Sequence, residues 1–177
     1  MSRTVTFRPG KQEDAAVIAE IHCRSWQLHY RGDFTDDYLD REAPSERLLV
    51  WKDRLARDNP RMLLELALID GEVVGFSCVF LDHHESFGHL LDNLHVRPGF
   101  YGEGIGKQLL LRSMSSVSKA RGAKAPFYLW VLESNEQAIG FYDRLRGRRG
   151  ITETHHFPGG NTVQAISYHW EAEQMER

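Results

Sequence analysis

The stretch from Leu91 to Leu110, LDNLHVRPGFYGEGIGKQLL, passes from a strand-like run through clustered glycines into a helical repeat. Gly102, Gly104 and Gly106 separate a strand at about 89–97 from a helix at about 104–121, which presents Ile105, Leu109, Met114 and Val117 inward and stops at Gly122. Glycines let a backbone approach an anion closely, and the first turn of a helix carries unpaired N–H groups and a partial positive charge. The unit therefore belongs to an α/β design and fits a phosphate or pyrophosphate. Two well-known phosphate loops fail on spacing. A Walker A loop ending at Gly106-Lys107 needs glycine at 101 and Ser or Thr at 108, where Tyr101 and Gln108 stand; a dinucleotide G-x-G-x-x-G from Gly102 needs glycine at Lys107. Taken alone, the glycines equally describe a tight strand-to-helix turn.

The flanking sequence supplies the rest of such a domain. Residues 4–8 alternate as a strand, and 12–29 place Ile18, Ile21, Ser25 and Leu28 at helical spacing. A second helix over roughly 44–57 carries Leu48, Trp51 and Leu55, and Pro60 ends it. The apolar runs 62–69 and 72–81 are joined by Asp70-Gly71, a two-residue hairpin signal. The tract 82–88 (DHHESFG) reads as a polar loop. Beyond the glycine unit come a strand, Phe127 to Leu132, and a helix with Ser134 as N-cap, Gln137 completing a capping box, and Ala138, Phe141, Tyr142 and Leu145 on one face. Strands near 149–155 and 163–170, separated by Pro158-Gly159-Gly160-Asn161, complete one domain over 1–177.

Composition narrows the function. Of the 177 residues, 22 are Lys or Arg and 25 Asp or Glu, a net charge of -3 that argues against a nucleic-acid surface. The longest nearly apolar run, Val73 to Leu81, is half a membrane span, and Met1 to Arg8 lacks a signal-peptide core. The two cysteines, Cys23 and Cys78, sit in apolar-periodic segments and read as buried thiols of a reducing compartment, which points to the cytoplasm. Nine histidines include the pairs His83-His84 and His155-His156, yet no Cys/His/acid spacing of a metal site recurs, so no metal is expected. Trp130 and Trp170 read as sheet core.

The Leu91–Leu110 stretch resembles motif A of the GNAT N-acetyltransferase superfamily: Val96 and Pro98 match its V-x-P, and Gly104 and Gly106 its closing glycines. Residues 18–39 resemble the first helix and loop of one GNAT subgroup, and 130–147 (WVLESNEQAIGFYDRLRG) resemble motif B. The resemblance implies a single-domain α/β GNAT fold, with a mixed central sheet flanked by helices and splayed between two parallel strands, here about 89–97 and 127–132. It implies acetyl-CoA as cosubstrate. The pantetheine arm would lie along Leu94, His95 and Val96, and the pyrophosphate on the turn Tyr101, Gly102, Glu103, Gly104, Ile105, Gly106 and Lys107; Asn135 and Tyr142 would complete the cofactor site. Tyr101 replaces the family's Gln or Arg, and Glu103 sits where a cation is common, with Arg97 or Lys107 available to offset it.

Acetyl transfer needs a neutral amine and a protonated leaving sulfur. The resemblance assigns the acid to Tyr142, whose structural reading is a core tyrosine. Asp92 is two residues from Leu94, hence on its face, and is either the base or a hydrogen-bonding residue at a strand distortion. The acidic residue usual in the family two positions before it is here Leu90, and His95 points to the other face. Trp26, His29 and Tyr30, with Asp33 and Tyr38, would wall the acceptor pocket. Asp33, Asp36 and Asp37 are either an attraction for a cationic amine or solvated surface. The acceptor is a small-molecule or protein amine, and the resemblance also allows a homodimer. The alternative to an enzyme is a non-catalytic acyl-CoA-binding or regulatory module of the same fold.

Overall fold

Asp70 and Gly71 both take positive φ, 51° and 85°, and close the hairpin between β2 (Met62–Ile69) and β3 (Glu72–His84). The structure is a computed structural model that describes residues 3–157 and 162–171; the Pro158–Asn161 turn lies outside them. β1 (Val5–Pro9) pairs with β2, and β4 (Gly88–Val96) with β3. β5 (Pro126–Leu132) joins β4, and β7 (Thr162–Glu171) and β6 (Arg148–His156) extend the other edge. The result is a seven-stranded mixed sheet in the order β1-β2-β3-β4-β5-β7-β6, antiparallel except for the parallel β4–β5 pair.

Helices cover both faces. α1 (Ala15–His29) and α2 (Ala43–Leu55) bury Ile18, Ile21 and Trp51 against Leu66, Phe76 and Cys78. α3 (Ile105–Arg121) and α4 (Glu136–Arg144) bury Leu110, Met114, Val117 and Tyr142 against Val79, Leu91, Phe127 and Leu129. Cys23 and Cys78 are free and buried. No helix among the described residues is long and apolar enough to cross a membrane.

Several local expectations change. Leu28 is 43% exposed, because the inward face of α1 runs instead through His22, Cys23 and Trp26. The tract 82–88 is mostly strand: β3 continues to His84, which pairs with Gly88, and the His84 ring nitrogen accepts the Ser86 and Phe87 N–H groups. Its polarity reflects exposed strand ends and a three-residue turn at 85–87, a shorter loop than expected. The N-cap of α4 is Asn135, whose side-chain oxygen accepts the Ala138 N–H at 3.1 Å, while Ser134 donates to Asp33 at 2.5 Å.

The β4–β5 pairing positions the site. It consists of His89 opposite Phe127 and Leu90 opposite Tyr128 and goes no further. One residue on, β4 bulges: Cys78 pairs with Asn93 and Val79 with Leu91, leaving Asp92 extra. A bulge bends a strand and increases its twist, so β4 leaves β5 where the ladder stops. The bulge also overturns the shared face expected for Asp92 and Leu94. Asp92 and Asn93 both reach back to Arg54 of α2, at 2.7 and 3.1 Å, while Leu94 packs with the α3 side.

Candidate active site

A cavity of about 790 Å³ opens where β4 and β5 part. One wall is Leu91–Val96 of β4, and the facing wall is Leu129–Leu132 of β5. At one end lie Gly102 and Gly104–Lys107; at the other, the corner of α1 and α2.

At the glycine end, Gly102 and Gly104 hold φ of 81° and 77°, a region that side chains disfavour, and a Cβ at either would meet nothing within 4 Å. The open space lies where an anion would approach. The first internal bond at the start of α3 is Gln108 N–H to Gly104 O at 3.0 Å, so the N–H groups of Ile105, Gly106 and Lys107 precede the helical ladder. Tyr101 also lines the cavity and sits 3.4 Å from the His29 ring nitrogen. Glu103 does not: its carboxylate turns to Arg3 at 3.3 Å and is absent from the lining. The offsetting cation is thus Arg3, whereas Arg97 holds Glu20 at 2.8 Å and the Val73 carbonyl at 2.9 Å.

Leu94, His95 and Val96 line the slot, as do Asn135 and Tyr142. Tyr142 is buried, with ring centroids 5.2 Å from Phe141 and 5.6 Å from Tyr168. Burial, followed by the nearby Tyr30, pushes its phenol well above the ordinary tyrosine range. Tyr30 is itself pushed up to about 12, chiefly by burial and then by Asp33, against the lowering effect of its bond with Asn135.

Trp26, His29 and Tyr30 line the end at the corner of α1 and α2, where the acceptor is expected. Tyr38 does not; it is buried and hydrogen-bonded to Glu46. The acids Asp33, Asp36 and Asp37 are not in the lining: Ser134 donates to Asp33, Arg31 to Asp36, and Arg41 pairs with Asp37. Asp92 is in the lining, its carboxylate on Arg54.

The sequence pattern does not single out His22, Arg47, Arg54 or Phe157, notes Ser25 only for its helical spacing and His155 only as half of a histidine pair, and assigns Trp130 to the core; all line the cavity. His22, Ser25 and His29 recur at three and four residues, a polar stripe on an otherwise apolar helix face. Arg47 and Arg54 flank Trp51 on α2 at the same kind of spacing. The His95 ring nitrogen lies 2.9 Å from Ser25 Oγ, and its ring stacks on His22 with centroids 4.8 Å apart. Trp51 Nε1–H donates to His22 Nδ1 at 3.0 Å, which places the proton of a neutral His22 on Nε2. Burial, and then the proximity of His29, drives His95 down to about 3. Burial drives His22 well below the ordinary histidine value, with His95, Arg47 and Arg54 acting the same way. Both rings are therefore neutral at neutral pH. Neither cysteine lines the cavity.

A sequence model described as the acetyltransferase (GNAT) family matches residues 18–147. Many solved structures share the fold, among them the following three. PaiA N-acetyltransferase from Thermoplasma acidophilum in complex with coenzyme A is 19% identical at a TM-score of 0.69, covering 92% of this chain and 98% of that one. YncA from Salmonella typhimurium with its cofactor acetyl-CoA is 18% identical at a TM-score of 0.67, covering 98% and 97%. An N-acetyltransferase from Staphylococcus aureus Mu50 is 18% identical at a TM-score of 0.69, covering 96% and 99%.

Proposed function

This chain belongs to the acetyltransferase (GNAT) family, and on that premise we propose that it is an acetyl-CoA-dependent N-acetyltransferase whose acceptor amine attacks directly in a ternary complex. The observation that carries the reading is the slot left where β4–β5 pairing stops after Leu90, with the bare first turn of α3 at its end. Acetyl-CoA supplies an activated thioester: the amine nitrogen bonds to the carbonyl carbon, the C–S bond breaks, and the sulfur takes up a proton.

The chain's own groups divide the work. The backbone of Leu94–Val96 offers a free strand edge to the pantetheine arm, and the N–H groups from Gly102 to Lys107 receive the pyrophosphate. Asn135, its oxygen committed to capping α4, bounds the cofactor side. Tyr142, kept protonated by its burial, donates to the departing sulfur. Asp92 accepts the amine proton directly or through water while Arg54 holds its carboxylate. Trp26, His29 and Tyr30 position the acceptor, so much of the rate comes from holding the reactants together. Direct attack suits a cavity whose lining contains no thiol among the described residues.

The test follows free thiol released from acetyl-CoA across a panel of amines. Tyr142→Phe should lower turnover about a hundredfold, the scale of a lost general acid, with a much smaller loss of coenzyme A affinity. Unchanged turnover removes Tyr142 as the acid. Tight acetyl-CoA binding with no acceptor turned over favours the acyl-CoA-binding module. An acetyl adduct on Ser25 after incubation with acetyl-CoA alone overturns direct attack.

A further inference from the structure

Arg47 reaches the cavity wall from α2. It is only 9% exposed. Its Nη2 donates to Glu46 at 2.6 Å, and its guanidinium carbon lies 4.5 Å from the Trp26 ring centroid. Its Nε is buried without a hydrogen-bond partner, the only such side-chain atom among the described residues. Leaving a buried donor unmet costs about 1–3 kcal/mol, more for a charged group, and such atoms are few in native folds. Arg47 lines the cavity with a guanidinium that Glu46 meets at one nitrogen only, and its remaining N–H groups can receive an anionic group from a ligand.

The other charges in the lining narrow the choice. Arg54 is already engaged by Asp92 and Asn93. Lys107 belongs to the glycine end, and Arg144 to α4. Among the described residues Asp92 is the only acid in the lining, and it is neutralised by Arg54. The acceptor corner itself combines Arg47 with neutral His22 and His95 and with aromatic faces. Trp26 lies 6.3 Å from Phe157, and Trp130 lies 4.8 Å from His155. The described residues place no acidic cluster there to favour a simple cationic amine.

Building on the acetyltransferase reading, we propose that the acceptor is a small amino acid-like amine whose carboxylate is received by Arg47 and whose apolar or aromatic body lies among Trp26, Trp130 and Phe157. Arg47 then acts as a specificity residue. It places the amine through the carboxylate beside it, and it disfavours the same amine without that group because the charge-assisted bond to the guanidinium is then lost.

The test compares matched substrates: phenylalanine, phenylalaninamide and phenethylamine, with leucine, leucinamide and isoamylamine as the aliphatic set. Wild-type kcat/KM should favour the free acid over its amide and over the decarboxylated amine by about tenfold to a hundredfold, the range for hydrogen bonds to charged groups. In Arg47→Met that ratio should fall to near one. A readout free of acetyl transfer uses 3-phenylpropanoate, which has no amine. It should raise the melting temperature of the coenzyme A-bound wild type and leave that of coenzyme A-bound Arg47→Met unmoved. Equal or better use of the decarboxylated amines by wild type overturns the proposal, and so does selectivity that survives Arg47→Met. The wild-type comparison needs no variant and stands if Arg47→Met does not fold. If no amine is acetylated yet 3-phenylpropanoate binds through Arg47, the carboxylate site holds and the acetyltransferase reading fails. If amines are acetylated without carboxylate preference, the acetyltransferase reading holds and the carboxylate site fails.

Discussion

Acidification should weaken this fold between about pH 6.5 and 5.5, and the stacked His22–His95 pair sets the size of the loss. Both imidazoles are depressed in the folded chain, His95 to about 3 and His22 well below the ordinary value, with burial the main cause in each. In the unfolded chain both titrate near about 6.5. The contribution is therefore complete above the unfolded value and is lost as pH falls, because the unfolded chain takes protons that the folded chain refuses. At about pH 5.5, below the unfolded value, a ring that stays neutral in the fold forfeits on the order of 1 kcal/mol, so the pair costs roughly 2–3 kcal/mol of a total near 5–15 kcal/mol. His29, His89 and His169 are lowered in the same direction and add to the loss. The carboxylates held low by arginine partners, Asp14, Asp40, Asp82 and Asp143, act at lower pH. Urea unfolding at about pH 7.5, 6.5 and 5.5 reads the slope. Gln at position 22 still accepts the Trp51 N–H, so His22→Gln with His95→Asn should remove most of it. A flat profile in wild type, or an undiminished slope in the double variant, refutes this account of the pair.

Two further perturbations probe the cofactor end. Gly104→Ala meets no atom within 4 Å but must hold φ near 77°, so it should cost about 1–2 kcal/mol of stability. It should also weaken coenzyme A binding, checked by denaturation and by titration calorimetry; unimpaired binding would remove the turn from the site. Asn135→Ala deletes the bond to Ala138 N–H and should cost about 1 kcal/mol, the value of a helix N-cap, with a lower midpoint in urea. An unchanged midpoint would show that Ser134 supplies the cap.

The elements legible in the sequence are those encoded locally. Asp70-Gly71 declares its hairpin because both residues tolerate positive φ, and the repeat of Ile105, Leu109, Met114 and Val117 fixes the buried face of α3. Tyr142 and Asn135 fall on the cavity because α4 has an unambiguous apolar face. The errors sit where tertiary contacts choose between local options. Ser134 and Asn135 are both good caps; Asp33, from a distant loop, takes the serine and leaves the asparagine to the helix. Asp92 changes face because β4 carries an extra residue against β3, and no pattern of alternation reveals a bulge. Arg47 and His22 become site residues only when α2 docks on α1, through the Trp51–His22 hydrogen bond and the stacking of Arg47 over Trp26.

The same contacts explain why the sheet stays open. Unpaired strand edges are costly when buried, and two parallel strands that start paired would ordinarily continue. Gly88 pins the start: it turns with φ of 82°, and a Cβ there would lie 2.4 Å from Pro126, so the strands meet tightly at one end. The bulge at Asp92 then rotates β4 away, and Arg54 fixes the rotated segment by holding Asp92 and Asn93 together. At the far end an aromatic cluster buttresses the β5 side of the slot. Trp26, Phe34 and Tyr38 pack with Leu132 of β5 and with Val163 and Ala165 of β7, while α1 packs its other apolar residues on β2 and β3. Closing the slot would require rotating β4 back against its bulge and breaking the half-buried Arg54 contacts. The opening is thus a property of the packed core and not of the ligand. Trp26 belongs to both sets, packing in that cluster and lining the cavity, whereas Phe34 and Tyr38 support it from outside the lining.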